Sequence, residues 1–257
     1  MNQKTPPGPA ALWLVRHGQS SGNVARDAAE AAGLPVIDIA ARDVDVPLSP
    51  LGEQQADALG RWFGRMGRDE RPTVVLTSPY LRARQTAERL VENAGLPAAE
   101  FVLVVDERLR EKEFGILDRL TKLGIQQRFP EQAEIRKHLG KFYHRPPGGE
   151  SWTDIILRLR SVYDSVGREF DGERVLVVSH QVVVLCFRYV LERLTEEQIL
   201  GIDRAGEVAN CSVTHYDFAR DRDAKGQIAP RQFNFVAPLE EADAPVTSRP
   251  DAPVARK

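Results

Sequence analysis

The chain has 257 residues, enough for one large domain or two small ones and for a sizeable buried core. Its 42% hydrophobic and 28% charged residues exclude a wholly disordered chain, and a net charge of −2 argues against a general nucleic-acid binder. No apolar run approaches the ~20 residues that span a bilayer, and the opening MNQKTPPGPA has no apolar h-region, so the expectation is a cytoplasmic protein without membrane contact. Cys186, in an apolar helical stretch, and Cys211, in a strand-like one, offer neither a disulfide framework nor metal spacing and read as buried thiols.

In chain order, the Pro-rich residues 1–10 are expected to be disordered. Residues 11–237 form the ordered domain, and from Pro238 to Lys257 the chain turns to Pro, Ala and charge without periodicity, so disorder is expected there again. Four short apolar runs, Ala11–Val15, Thr73–Leu76, Phe101–Val105 and Val175–Val178, have the length and Val/Leu content of strands covered on both faces. Helical patterns separate them. Ser49-Pro50 is an N-cap and N1 pair opening a helix through Trp62 and Phe63, and Tyr80 to Val91 is another. Ser151 to Asp154 is a capping-box start for a helix with Ile155, Ile156, Leu159, Val162 and Val166 on one face. Val182–Leu194 is apolar almost all round, which predicts a well-buried helix. The alternation predicts an α/β fold, a three-layer sandwich with a mostly parallel central sheet and helices on both faces. Runs near Ser212–Tyr216 and Gln232–Val236 would extend the sheet at an edge.

In such a sheet ligands bind beyond the carboxyl ends of the strands. There the first run is followed by Arg16-His17-Gly18, and the second by Thr77-Ser78-Pro79 and then Arg82. The third is followed by Asp106, Glu107 and Glu111, and the fourth by Ser179-His180. Two arginines, two histidines and a carboxylate would therefore meet at one sheet edge. That set suits phosphoryl transfer through a phosphohistidine. Neutral imidazole is a competent nucleophile near pH 7, the arginines and a second histidine hold the phosphoryl oxygens, and a carboxylic acid serves the leaving oxygen and then water. Arginines supply the positive charge that a metal would otherwise bring, and Arg16 beside His17 would repel a cation, so neither metal nor cofactor is expected.

Six blocks now stand in order: LVRHGQSSGN (Leu14–Asn23), PLSPLGEQQA (Pro47–Ala56), TSPYLRARQTAE (Thr77–Glu88), LREKEFG (Leu109–Gly115), PPGGES (Pro146–Ser151) and VLVVSH (Val175–His180). Their succession resembles the histidine phosphatase superfamily, the phosphoglycerate-mutase-like proteins, over about residues 11–217. The resemblance implies His17 as the phosphorylated nucleophile and Arg16, Arg82 and His180 as the phosphate pocket. It also implies Glu111 as the proton donor and Asn23 as a pocket contact that can also cap the helix after it. Glu107 and Glu113 lie close by, and only the LREKEFG spacing selects Glu111. Gln19, Ser20 and Gln181 stand where the family commonly has other residues and are read as further substrate contacts, Gln181 through its backbone N–H.

Residues 108–145 hold ten Lys or Arg against five acids, a local +5, so the rest of the chain carries −7. Either this is a solvated face or, within a cap-like insertion at about 112–148, it draws polyanionic substrates. The expected activity is metal-independent hydrolysis of a small phosphorylated metabolite. A mutase of the same family is the first alternative, disfavoured by the short stretch between Glu111 and Gly149. A catalytically silent phospho-ligand module is the second, disfavoured by intact His17, Arg82, Glu111 and His180.

Overall fold

Successive residues of a strand point to opposite faces of its sheet, and here the two faces meet different helices. In β1 (Ala11–Arg16), Leu12 and Leu14 enter one hydrophobic cluster, while Trp13 and Val15 enter another. In β4 (Arg174–Ser179), Val175 and Val177 join the first and Leu176 and Val178 the second. With β2 (Val74–Thr77) and β3 (Val102–Val105) these strands run parallel. Two antiparallel strands, β5 (Val213–Asp217) and β6 (Gln232–Phe235), complete the order β3-β2-β4-β1-β5-β6. This computed structural model describes residues 8–97, 101–218 and 228–248.

The helices are α1 (Ser21–Ala31), α2 (Pro50–Gly64), α3 (Leu81–Asn93), α4 (Lys122–Arg128) and α5 (Pro130–Tyr143), followed by α6 (Trp152–Glu169), α7 (Gln181–Leu191), α8 (Glu196–Ala205) and the short α9 (Ala237–Glu240). Apolar stripes of α6 and α7 cover one face of the sheet, and those of α2 and α3 cover the other. The expected starts hold: Ser49 caps α2 with Pro50 at its first position, and Ser151 with Asp154 forms a capping box on α6. No helix among the described residues is long and apolar enough to cross a membrane.

Two expectations are corrected. The run Phe101–Val105 does form a strand, but as β3 it is the sheet edge, and Val102, Leu103 and Val105 are 51%, 43% and 52% exposed. An edge strand has a neighbour on one side only, and here only Val104 of the strand, with Phe101 just before it, packs against the hydrophobic clusters. The tail expected to be disordered from Pro238 is structured to residue 248. Leu239 is buried in the second hydrophobic cluster, with α9 packed against α2; Gln55 donates to the Pro245 carbonyl at 2.7 Å, and the Asn210 N–H donates to that of Thr247 at 2.7 Å. One leucine and a few backbone bonds anchor a segment that has no periodicity to reveal it. Residues 1–7 and 249–257 lie outside the described residues, whereas Gly8 and Ala10 are bonded to residues 171–173.

Within 112–148, Leu117, Leu120 and Ile125 form a small separate cluster with Val36. The Ile37 N–H donates to the Arg119 carbonyl, Thr121 donates to those of Leu34 and Pro35, and Arg119 Nη2 donates to that of Ala41. The cap-like segment is thereby stitched to the loop between α1 and α2.

Candidate active site

The strand ends bring the two histidines together. Arg16 pairs with Ser179 in the β1–β4 register, and one step on the His17 N–H donates to the Ser179 carbonyl at 2.9 Å. The imidazoles of His17 and His180, both fully buried, lie 5.1 Å apart at 64°. Asn210 donates to the His17 carbonyl at 2.9 Å and fixes the turn from the other side. The turn is also wedged against the first turn of α2: a Cβ on Gly18 would stand 2.5 Å from the Gly52 carbonyl oxygen, and one on Gly52 would stand 1.9 Å from that of Gln19. Only glycines permit this approach, which explains why both blocks carry one.

His17 Nδ1 lies 2.6 Å from the Gly18 carbonyl oxygen. A carbonyl can only accept, so Nδ1 carries the proton and Nε2 presents its lone pair. Arg82, on the first turn of α3, donates from Nε to this Nε2 at 3.3 Å. The cation thus stands where a phosphoryl group on Nε2 would need it. Arg16 is fully buried and donates from Nη1 to the Val208 carbonyl at 2.6 Å, which fixes its guanidinium beside the nucleophile turn.

His180 is the N-cap of α7, so the open N–H groups of that helix's first turn lie beside its ring. Its Nε2 is 2.8 Å from Ser78 Oγ, its Nδ1 is 3.8 Å from Glu111 Oε2, and the Tyr80 ring packs edge-on against it at 5.1 Å. Burial and the nearby Glu113 carboxylate push the Tyr80 phenol well up, so it stays protonated and donates to Glu113 Oε1 at 3.0 Å. Glu111 is 1% exposed, and its Oε1 accepts the Lys112 N–H at 2.7 Å. Among the three neighbouring glutamates, Glu111 is the one whose carboxyl lies beside His180.

The PPGGES block holds this carboxyl in place. Glu150 accepts from Arg110, from Arg158 and from the Glu113 N–H, and Arg158 also donates to the carbonyls of Arg108 and Glu111. Glu150 and Arg158, with Ser78, Asn210 and Asp43 (a ligand of Arg82), are the site residues that sequence reasoning did not single out. Glu150 and Ser78 sat inside quoted blocks and could have been found there. The others carry no local signal.

The remaining candidates divide. Ser20 is the N-cap of α1, and Asn23 completes its capping box, so the capping role of Asn23 is real. Both also line the cleft beside Arg82, with Arg26, Asp43, Phe114, Asp118 and Arg119. Gln19 accepts from Ser49 Oγ at 2.7 Å through its amide oxygen, and its N–H donates to Gln55, so it ties the turn at His17 to α2. Gln181, at the first position of α7, is 5% exposed and buries its Oε1 without a hydrogen-bond partner.

The basic segment also divides. Arg108, Arg110 and Arg145 pair with Asp106, Glu150 and Asp154, while Lys122 and Arg128 are exposed on α4. Three basic groups act on one another electrostatically instead. Burial and Arg136 pull Lys112 down to about 8, and burial with Arg136 and Lys112 pulls His144 down to about 4. Arg136 Nη2 and His144 Nε2 are buried without hydrogen-bond partners.

This architecture and set of residues lead to the comparison with known families. The chain belongs to the histidine phosphatase superfamily (branch 1), whose profile matches residues 12–226. It is 32% identical over 190 residues to the Gallus gallus 6-phosphofructo-2-kinase/fructose-2,6-bisphosphatase, covering 74% of this chain and 34% of that one. It is 32% identical over 196 residues to the 2,3-bisphosphoglycerate-dependent phosphoglycerate mutase of Allorhizobium ampelinum, covering 76% and 85%. The chain therefore spans about a third of the length of the bifunctional relatives it matches. Among solved structures, a mycobacterial glucosyl-3-phosphoglycerate phosphatase with VO3 superposes with a TM-score of 0.65 at 26% identity, covering 88% of this chain and 99% of that one.

Proposed function

We propose that this chain hydrolyses phosphomonoesters of small metabolites through a phosphohistidine on His17, with no metal ion in the step. The observation that carries the reading is the His17 ring itself, with Nδ1 held by the Gly18 carbonyl and Nε2 turned to Arg82. Nε2 attacks phosphorus, a bond forms between nitrogen and phosphorus, and the ester P–O bond breaks. Glu111 gives its proton to the departing oxygen, then takes one from the water that attacks phosphohistidine, and inorganic phosphate leaves. Arg16, Arg82 and His180 balance the negative charge of the phosphoryl oxygens throughout.

The test is turnover of p-nitrophenyl phosphate and a panel of sugar mono- and bisphosphates in EDTA, with rapid acid and base quenches of labelled enzyme. Expected are phosphate release in EDTA, a base-stable and acid-labile label, and loss of both in His17→Ala. Near-native activity of His17→Ala, or activity lost in EDTA and restored by a divalent ion, would overturn the reading. Phosphate moved between positions of one substrate, with none released, would indicate a mutase.

A further inference from the structure

Arg82 is 3% exposed, and its guanidinium is gripped from two sides. On one side Nε faces His17 Nε2 at 3.3 Å. On the other, Nη1 donates to Asp43 Oδ1 at 3.0 Å and to the Asp43 carbonyl at 2.7 Å, while Nη2 donates to Asp43 Oδ2 at 3.3 Å. A guanidinium has five N–H groups in a rigid plane. Asp43 takes the end formed by the two terminal nitrogens, which leaves the Nε edge turned to the nucleophile. The carboxylate thus does not stand between arginine and histidine. It holds the arginine from behind.

We propose that Asp43 is a positioning residue for phosphoryl transfer, aiming the Nε edge of Arg82 at the phosphorus bound for His17. This rests on the hydrolytic reading above and assigns to the loop between α1 and α2 a role that no sequence block suggested. The loop is built for it. Asp43 opens a single 3₁₀ turn, Asp43–Asp45, between the buried Ile37 and Val46, and Arg119 of the cap-like segment holds the Ala41 carbonyl. Arg82 has long, rotatable χ angles and also lies over the Tyr80 ring at 4.9 Å, so without a fixed carboxylate other orientations are open to it. A charged, two-point grip at its far end removes them.

The opposite reading is that Asp43 imitates phosphate and must be displaced before substrate binds. The two readings give opposite signs. Asp43→Asn keeps the shape but replaces one acceptor oxygen with an N–H facing the N–H groups of Arg82. If Asp43 positions, kcat/KM for p-nitrophenyl phosphate falls and vanadate inhibition weakens, each on the order of 10–10²-fold as expected for a displacement near 1 Å, with the loss in kcat exceeding that in KM. Asp43→Glu restores part of it. Asp45→Asn, whose carboxylate pairs only with exposed Arg42 among the bonds seen here, leaves all values unchanged. The double mutant isolates the link: in an Arg82→Gln background, Asp43→Asn should add nothing, because the arginine it aims is gone. Tighter vanadate binding in Asp43→Asn would make the carboxylate a competitor and overturn the proposal. An equal loss with and without Arg82 would reduce Asp43 to a loop-folding role and also overturn it. If the wild-type enzyme fails to turn over any phosphomonoester, it is the hydrolytic reading that falls. If wild type and Asp43→Asn are equally active, only the Asp43 assignment falls.

Discussion

Replacing Gly52 with Ala should disable the site without touching a catalytic group. The added Cβ would stand 1.9 Å from the Gln19 carbonyl oxygen and 2.8 Å from its carbon, so to reach even 3.0 Å the two backbones must part by about 1.1 Å. That oxygen also accepts the Ser49 N–H at 2.8 Å, so the N-cap of α2 is pulled apart with it. Gln19 follows His17 by two residues, and a misplacement near 1 Å is enough to cost ~10²-fold in rate, which is the fall expected in kcat/KM for p-nitrophenyl phosphate. Overpacking of this kind costs ~1–3 kcal/mol. At ~2–4 °C per kcal/mol for a domain of this size, Tm should drop by a few degrees to about ten. The assay is a thermal melt alongside steady-state kinetics, with Gly201→Ala as the contrast. In the middle of α8 that Cβ meets only the far end of Arg204 at 3.9 Å, so helix propensity should raise stability by up to ~1 kcal/mol with activity unchanged. A Gly52→Ala enzyme with wild-type Tm and wild-type kcat/KM would show that this approach does not position the nucleophile turn.

Strands β1, β2 and β4 were legible because burial on both faces leaves unbroken apolar runs, and α2 and α6 because Ser49-Pro50 and Ser151 mark helix starts chemically. Arg16, His17, Arg82 and His180 were legible for a related reason: each ends a strand or follows one within a few residues, so topology alone gathers them. Glu111 needed the block spacing, since nothing in composition separates it from Glu107 or Glu113. The structure separates them by placing the Glu111 carboxyl 3.8 Å from His180 and giving Glu113 to Tyr80. What stayed illegible depends on partners far along the chain. Asp43 meets Arg82 across 39 residues, Glu150 meets Arg110 across 40, and Asn210 meets His17 across 193. A single side chain in an aperiodic loop leaves no pattern, whatever it contributes once folded. Gln19 shows how much one side chain can do within the fold. Its place beside the nucleophile suggested a ligand contact, and its amide oxygen serves the cap of α2. Burial misled at β3, where composition alone could not tell an edge from a centre.

Two further outcomes follow from the site. Glu111→Gln should reduce kcat on the order of 10²–10⁴-fold for a sugar phosphate, whose alkoxide needs a proton, and far less for p-nitrophenyl phosphate. Equal losses on the two substrates would refute its role as acid. The last outcome concerns His144, which burial, Arg136 and Lys112 hold down at about 4 against 6.5 when unfolded. Between those values the unfolded chain binds a proton that the folded chain refuses, so folding stability rises with pH across this window. The stability linked to neutral His144 is therefore fully present above pH 6.5, is lost as pH falls toward 4, and loses nothing more below that. A shift of this size corresponds to a loss on the order of 3 kcal/mol. His144→Gln cannot take up the proton. Urea melts of both proteins from pH 7.5 to 3.5 separate this term from the carboxylates they share, because only the difference between the two curves is read. That difference should move in favour of the glutamine variant as pH falls from 6.5 to 4 and stay flat outside those limits. Parallel curves throughout would mean that His144 is not held neutral by its cationic neighbours. A crossing in the opposite direction would mean that an acidic partner stabilises its charged form.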